Sequence, residues 1–391
     1  MRFAEIMRNS GRRLPLFGNI LSGLLFLAAL FLGAVMTFAV PKAEFSEDEN
    51  KYLAEFPRFS VSSIREKTFM SGFEDYSADH FPARSAWIGL QTRLQLLMGQ
   101  REVNGVYILK DRLLEQVAPP SGKNVANSVL AMSEFAERFD GATYLMLVPT
   151  AAEIYHGMLP AGAPTLSERT TIDEVYKKVQ NVTTVDAYAS LSTNSEQYLY
   201  YRSDHHWTSR GAYLGYGALS AKMGFTPVPL DRFNVEHASH NFRGSLYSKV
   251  IYSGVDADSI DLYSYPSGAN VTGVSVFDGT NWEERDSLYC REFLEKKDQY
   301  SVFLGQNQPV VTIATDYPGD NSLIIFKDSY AHSLAPFLAL HYSKITLVDL
   351  RYLAVPFERV VDLGSYSQAL FCYNVKTFVD ENNVRKVNLK P

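Results

Sequence analysis

Ile324-Ile325-Phe326-Lys327-Asp328-Ser329-Tyr330-Ala331 is a short apolar run that ends in Asp-Ser and passes at once into a helix-compatible stretch. A continuous apolar run of this length reads as a strand buried on both faces, as in parallel sheets. The sequence on either side keeps the same rhythm. Val125, Val129, Leu130, Met132, Phe135 and Phe139 predict an amphipathic helix over 125–139 that stops at Asp140-Gly141. A strand over 143–148 follows, then a helix over 172–179, a strand over 182–185 and a Gly/Ala-rich helix over 208–223. Strand 322–326, helix 330–340 and strand 344–350 resume the pattern. Such alternation predicts an α/β fold, a parallel sheet with helices on both faces. From Gly224 to about Pro318 the runs shorten, as in Lys249-Val250-Ile251-Tyr252 and 271–277, and Gly, Asp, Asn and Pro interrupt them. This stretch, about 224–318, is expected to be a β-rich insertion between two halves of the core. Nearer the N-terminus, Trp87, Leu90, Leu94, Leu97 and Met98 recur at helical spacing, and Val106-Tyr107-Ile108-Leu109 reads as a short strand.

The chain has 391 residues, of which 46% are hydrophobic, enough for a sizeable core and too many for a disordered or collagen-like chain. Its net charge of −6, with no long basic run, argues against nucleic acid as a partner. The 24 Tyr and 24 Phe suit both core packing and stacking on sugars. Cys290 and Cys372 form no metal cluster and no C-x-x-C motif; they are compatible with one disulfide or with two free buried thiols.

Residues 14–40 carry no charge, and 20–40 are almost wholly apolar. About 20 such residues span a bilayer as a helix. Arg2, Arg8, Arg12 and Arg13 precede the stretch and the acidic Glu47-Asp48-Glu49 follows it. The positive-inside rule puts residues 1–13 in the cytoplasm and the body of the protein outside. The apolar core exceeds the 7–15 or so residues of a cleaved signal peptide, and Thr37-Phe38-Ala39 is a weak cleavage site. We therefore expect a single-pass signal anchor over 14–40, a juxtamembrane helical segment over 41–100 and an α/β domain over 101–391.

Three constellations carry chemistry. In Ser203-Asp204-His205-His206-Trp207-Thr208, Asp204 can orient the His206 imidazole and support its charged form, while Thr208 suits a helix cap. The same residues could instead be a structural Asp-His pair, or a metal site completed by His237 or His240. In the strand–turn–helix quoted above, Ser329 falls at the carboxyl end of a strand, before a helix N-terminus, which suits a nucleophile whose own N–H holds an oxyanion. A plain helix cap is the simpler alternative for Ser329. Third, Asp349-Leu350-Arg351-Tyr352 ends the next strand near the same rim. Arg351 could steady an oxyanion or simply pair with Asp349. Tyr330, Trp207 and Tyr352 are further candidates for oxyanion or substrate contact.

The Asp204-His205-His206-Trp207 tetrad resembles the signature of the DHHW family. The chain is also similar to the SGNH-hydrolase-like domains of alginate O-acetylation proteins, in which Asp-x-His-Trp precedes the serine motif. Ser46-Glu47-Asp48-Glu49-Asn50-Lys51-Tyr52-Leu53, Phe56-Pro57 and Asp79-His80-Phe81-Pro82-x-Arg84 look like the family's opening segment. The resemblance implies an SGNH-like (flavodoxin-like) fold, with Ser329 as nucleophile, His206 as general base and Asp204 as its orienting partner. It also implies an O-acetyltransferase or acetylesterase acting on exopolysaccharide or cell-envelope glycan, without cofactor or metal. A membrane-bound O-acyltransferase is the implied acetyl-donating partner. The Gly-Asp-Ser of SGNH enzymes is Lys327-Asp328-Ser329 here, and the Gly and Asn blocks of the usual oxyanion hole are missing. A non-catalytic glycan-binding or assembly protein on the same fold is the competing expectation.

Overall fold

The computed structural model describes residues 2–39, 42–120 and 122–390, so the expected anchor boundary at residues 40 and 41 lies outside the described residues. The chain divides into two compact units, Met1–Arg93 and Leu94–Pro391. In the first, the helix Arg2–Ala39 contains Asn19–Thr37, 19 residues with a mean hydropathy of 2.3, long and apolar enough to cross a membrane. A signal sequence has the same character. Two pieces of the opening segment meet in this unit. Lys51 Nζ donates to Asp79 Oδ1 at 2.6 Å, and Arg84 Nε donates to Glu49 Oε1 at 2.6 Å.

The second unit is built on an eight-stranded sheet. Its strands are β1 (Ala142–Val148), β2 (Thr183–Val185), β3 (Val271–Phe277), β4 (Trp282–Arg285), β5 (Val310–Thr315), β6 (Ser322–Lys327), β7 (Lys344–Val348) and β8 (Gln368–Asn374). They lie in the order β4-β3-β5-β7-β6-β8-β1-β2. The five strands β7, β6, β8, β1 and β2 are parallel, whereas β4, β3 and β5 are antiparallel. The expected parallel sheet is therefore mixed. Part of the stretch read as an insertion supplies its antiparallel edge, because hydrophobic alternation reports burial and not strand direction. The strand expected at Lys249–Tyr252 is instead the end of a helix, Ser245–Val250, closed by Ile251 at φ 43°. The central strand β8 was not expected.

Helices cover both faces. They are α1 (Asn124–Arg138), α2 (Glu168–Lys178), α3 (Ala187–Thr193), α4 (Ser209–Met223), α5 (Ser245–Val250), α6 (Ala331–Leu338) and α7 (Val375–Asp380). Strand alternation divides the core between them. Leu323 and Ile325 of β6 pack with Tyr216, Leu219, Leu334 and Phe337 of α4 and α6. Ile324 and Phe326 pack on the other side with Met132, Phe135, Val175 and Phe378 of α1, α2 and α7. A hairpin of Asn234–Phe242 and Asp258–Ser264 and a small sheet holding Val106–Ile108 stand apart from this sheet.

Candidate active site

The loop before α4 is tied from below. The buried Asp258 carboxylate accepts from Arg202 N at 2.7 Å, Ser203 N at 2.8 Å, Ser203 Oγ at 2.5 Å and the Tyr198 hydroxyl. Thr208 caps α4, its Oγ1 accepting from Gly211 N at 3.3 Å. Between these fixed points the chain turns Asp204 and His206 to one side and sends Trp207 into the core. Trp207 lies against Gly211 and Gly215 of α4: a Cβ at Gly215 would come within 2.8 Å of its ring. Its Nε1 donates to Tyr330 O at 2.9 Å, and Tyr330 returns a hydrogen bond from its hydroxyl to His205 O. The two motifs, 123 residues apart, are thus locked together.

That lock brings three side chains into line. His206 Nε2 lies 2.7 Å from Ser329 Oγ, and His206 Nδ1 lies 2.6 Å from Asp204 Oδ1. Asp204 also accepts from His206 N at 2.9 Å and from Ser245 N at 2.7 Å. Burial pushes the Asp204 carboxyl up, but His205, His206 and the Ser245 N–H outweigh it and hold the group well below the usual carboxylate range. For His206, burial and then the neighbouring His205 lower the pKa to about 4, against the pull of Asp204. The imidazole is therefore neutral at pH 7, the state a base requires. Its ring is sandwiched: Tyr300 stacks at 3.6 Å and 8°, and His205 lies at 3.8 Å. Tyr300 also donates its hydroxyl to Ser329 O at 3.0 Å.

Ser329 stands in the turn between β6 and α6, partly exposed. The buried Asp328 shapes that turn, accepting from Tyr330 N at 2.9 Å and from Asn374 N and Nδ2, each at 2.7 Å. Burial raises its pKa to about 6. Among the described residues the Ser329 backbone N–H has no intramolecular acceptor, so it is free to bind an oxyanion. Behind the turn, the buried Lys327 Nζ lies 2.7 Å from His332 Nε2 and 3.2 Å from Asp349 Oδ2.

The other candidates fall elsewhere. Arg351 is held by Asp349, with Nε donating at 2.9 Å and Nη2 at 2.8 Å; this is the local ion pair, and among the described contacts none joins it to Ser329. Tyr352 is half-exposed under the Arg351 guanidinium, without contact to Ser329, His206 or Asp204 among the described residues. Trp207 and Tyr330 are too buried to offer a ligand more than an edge; they tie the site together. Ligand atoms of Asp204, His205 and His206 lie within 4.8 Å of one another. His237 and His240 do not complete that group: they stand on the exposed strand Asn234–Phe242 and bond to Asp261 and Ser259 of its neighbour. Cys290 and Cys372 are both buried free thiols.

Tyr300, Asp328, Asn374, Lys327 and Ser245 were not singled out from sequence. Asp328 and Ser245 have some local signal beside the serine and in the helix start after Gly244. Tyr300 has none: it arrives on a short 3-10 turn, Gln299–Val302.

A cavity of about 710 Å³ lies between α1 and α2, and no histidine lines it. A smaller cleft of about 270 Å³ opens beside the three aligned side chains, where His205, Ser245, Tyr330 and Asn374 line it.

The fold has solved relatives. A DHHW family protein from Eubacterium siraeum is 26% identical, with a TM-score of 0.65 over 73% of this chain and 96% of that one. PatB1 of Bacillus cereus, solved with a sulfonyl adduct, is 19% identical, with a TM-score of 0.61 over 71% of this chain and 97% of that one. No curated protein matches the chain by sequence. The family model of the DHHW proteins matches residues 103–348, most of the chain, and the chain belongs to that family.

Proposed function

We propose that this protein is a serine-dependent acyl-ester enzyme, an O-acetyltransferase or acetylesterase, that acts on cell-envelope or exopolysaccharide sugars outside the cell membrane. The observation that carries the reading is the Ser329–His206–Asp204 alignment at 2.7 and 2.6 Å, with a neutral imidazole and a free N–H on the serine. In this reading His206 Nε2 accepts the Ser329 proton as Oγ bonds to the ester carbonyl carbon. The Ser329 N–H holds the oxyanion. Collapse breaks the ester C–O bond, the leaving alcohol takes the proton from His206, and acetyl-Ser329 remains. An acceptor hydroxyl then gives its proton to His206 and attacks the acetyl group; Ser329 leaves and recovers that proton. A sugar acceptor makes the enzyme a transferase and water makes it an esterase. Asp204 keeps Nδ1 protonated and stabilises the imidazolium that forms in each half.

The apolar stretch Asn19–Thr37 supports a membrane anchor, with the body placed outside by the basic flank before it. An acetyl donor would then reach Ser329 from a membrane-bound acyltransferase. The competing reading, a glycan-binding protein without turnover, is favoured by one observation. Asn374, the asparagine nearest the turn, spends its Nδ2 on Asp328 and Thr377 and is not free to complete an oxyanion hole.

The test is hydrolysis of a small acetyl ester by the full chain in detergent, beside labelling by a sulfonyl fluoride read by intact mass. Ser329→Ala and His206→Ala should each reduce turnover by about 10³-fold or more, and Ser329→Ala should abolish the label. Activity that survives Ser329→Ala would remove the serine mechanism. A parent without turnover or label would leave the binding protein.

A further inference from the structure

The cleft beside Ser329 has a charge pattern that the acyl-transfer reading does not use. Its wall nearest the chemistry is His205, whose ring lies 3.8 Å from that of His206 and whose Nδ1 is 2.6 Å from Ser245 Oγ. That bond leaves Nε2, without a partner among the described residues, as a fixed polar atom on a side chain one-third exposed. Further out the lining is charged, and its cations are spoken for. Lys249 Nζ is 2.6 Å from Glu115 Oε1, and Lys376 Nζ is 2.6 Å from Asp380 Oδ2. Glu381 completes the lining, its Oε1 3.9 Å from an Arg351 that Asp349 already holds more closely. The cleft thus presents three carboxylates against two ammonium groups.

Its volume, just under the roughly 300–1,000 Å³ usual for ligand sites, and its mixed lining, with Thr150, Ser245 and Thr377 among Ala151, Ala152 and Leu246, suit a short run of sugar hydroxyls on an apolar ring face. A ligand carboxylate would meet no spare cation. To receive one, Lys249 would have to give up its 2.6 Å pairing with Glu115, a side chain only 15% exposed, or Lys376 its pairing with Asp380. Exchanging one carboxylate for another gains nothing, and the surplus at Glu381 repels the newcomer.

We propose that this cleft receives the acceptor glycan, that it selects a neutral sugar over a uronate, and that His205 Nε2 contacts the sugar nearest Ser329. The proposal rests on the acyl-transfer reading for the word acceptor, but its charge selectivity is measurable without turnover.

The experiment is calorimetric titration of the full-length Ser329→Ala chain in detergent, which separates binding from chemistry. The probes are cello-, chito- and manno-hexaose and, at equal length, oligogalacturonate and oligoguluronate. At least one neutral oligomer should bind about tenfold or more tightly than either uronate at physiological salt. Glu381→Lys should raise uronate affinity about tenfold by reversing the surplus charge, and His205→Ala should weaken the neutral oligomer. Uronates that bind as tightly as the neutral oligomers would overturn the proposal. So would the absence of binding by any neutral oligomer, or binding that His205→Ala and Glu381→Lys both leave alone. Ester hydrolysis by the parent, measured alongside, keeps the two readings apart. Turnover without neutral-glycan binding sinks this proposal alone; selective binding with neither turnover nor sulfonyl label sinks the acyl-transfer reading and leaves the selectivity standing.

Discussion

Gly244 shows how a residue without chemistry governs the site. A Cβ placed there would fall 2.3 Å from both Cβ and Oδ2 of Asp204. Neither neighbour can give way, because Asp204 is buried and is held by the His206 and Ser245 amides. Gly244→Ala should therefore push the carboxylate off His206 Nδ1 and cut ester turnover by about 10²-fold, the cost of a misplacement near 1 Å. A steady-state assay with a folded variant checks it; turnover within twofold of the parent would show that the loop yields elsewhere. The three aligned side chains were legible because each sits in a local pattern: Asp204 and His206 at the start of a capped helix, Ser329 at the end of an apolar run. Tyr300 and Asp258 were not. They reach the site from residues 298–303 and from the buried start of strand Asp258–Ser264, and nothing local in either stretch marks a partner some 30 to 55 positions away.

Among elements, the contact between α4 and the turn before α6 decides whether the two motifs meet. Trp207 fills the space left by Gly211 and Gly215, and its indole N–H satisfies the buried Tyr330 carbonyl at 2.9 Å. Trp207→Phe removes part of the ring packed on those glycines and leaves that carbonyl unpaired, the second alone at a cost of about 1–3 kcal/mol. A thermal melt should therefore show a clear loss of stability. A midpoint within about 1 °C of the parent would mean that water or another donor replaces the indole. Element identity was largely readable here: α1, α4 and β6 begin and end close to where the periodicity places them. Strand β8 was missed although Ala369-Leu370-Phe371-Cys372-Tyr373 is an apolar run of the expected kind. The strand–helix alternation does not place it, because only the 3-10 turns Phe357–Arg359 and Leu363–Ser365 lie between β7 and β8. The antiparallel edge was missed for a different reason. Strand direction depends on which partner a run finds, and that is decided by the whole sheet.

At the scale of the molecule, buried titratable groups set how stability follows pH, and they oppose one another. His206 and His341 are both lowered to about 4, chiefly by burial, so below pH 6.5 the unfolded chain binds protons that the folded chain refuses. Their contribution falls as the solution becomes acid. Glu168 acts in the other direction. It is fully buried beneath the loop after β1, accepts from Thr150 N at 2.7 Å and Thr150 Oγ1 at 2.5 Å, and is raised to about 8 by burial, with Glu153 and Glu115 adding to it. Unfolded, it releases its proton near 4.5; folded, it keeps it to about 8. Between those values the folded state holds more protons, so this group's contribution to stability falls as pH rises. Glu168→Gln preserves the shape and the accepting oxygen but cannot ionise. The difference in melting temperature, variant minus parent, should therefore grow steadily from pH 5 to pH 8, whatever the other groups do in both chains. A difference that stays constant across that range would mean that Glu168 is already ionised in the folded protein, with a counter-charge or water in the loop after β1 to support it.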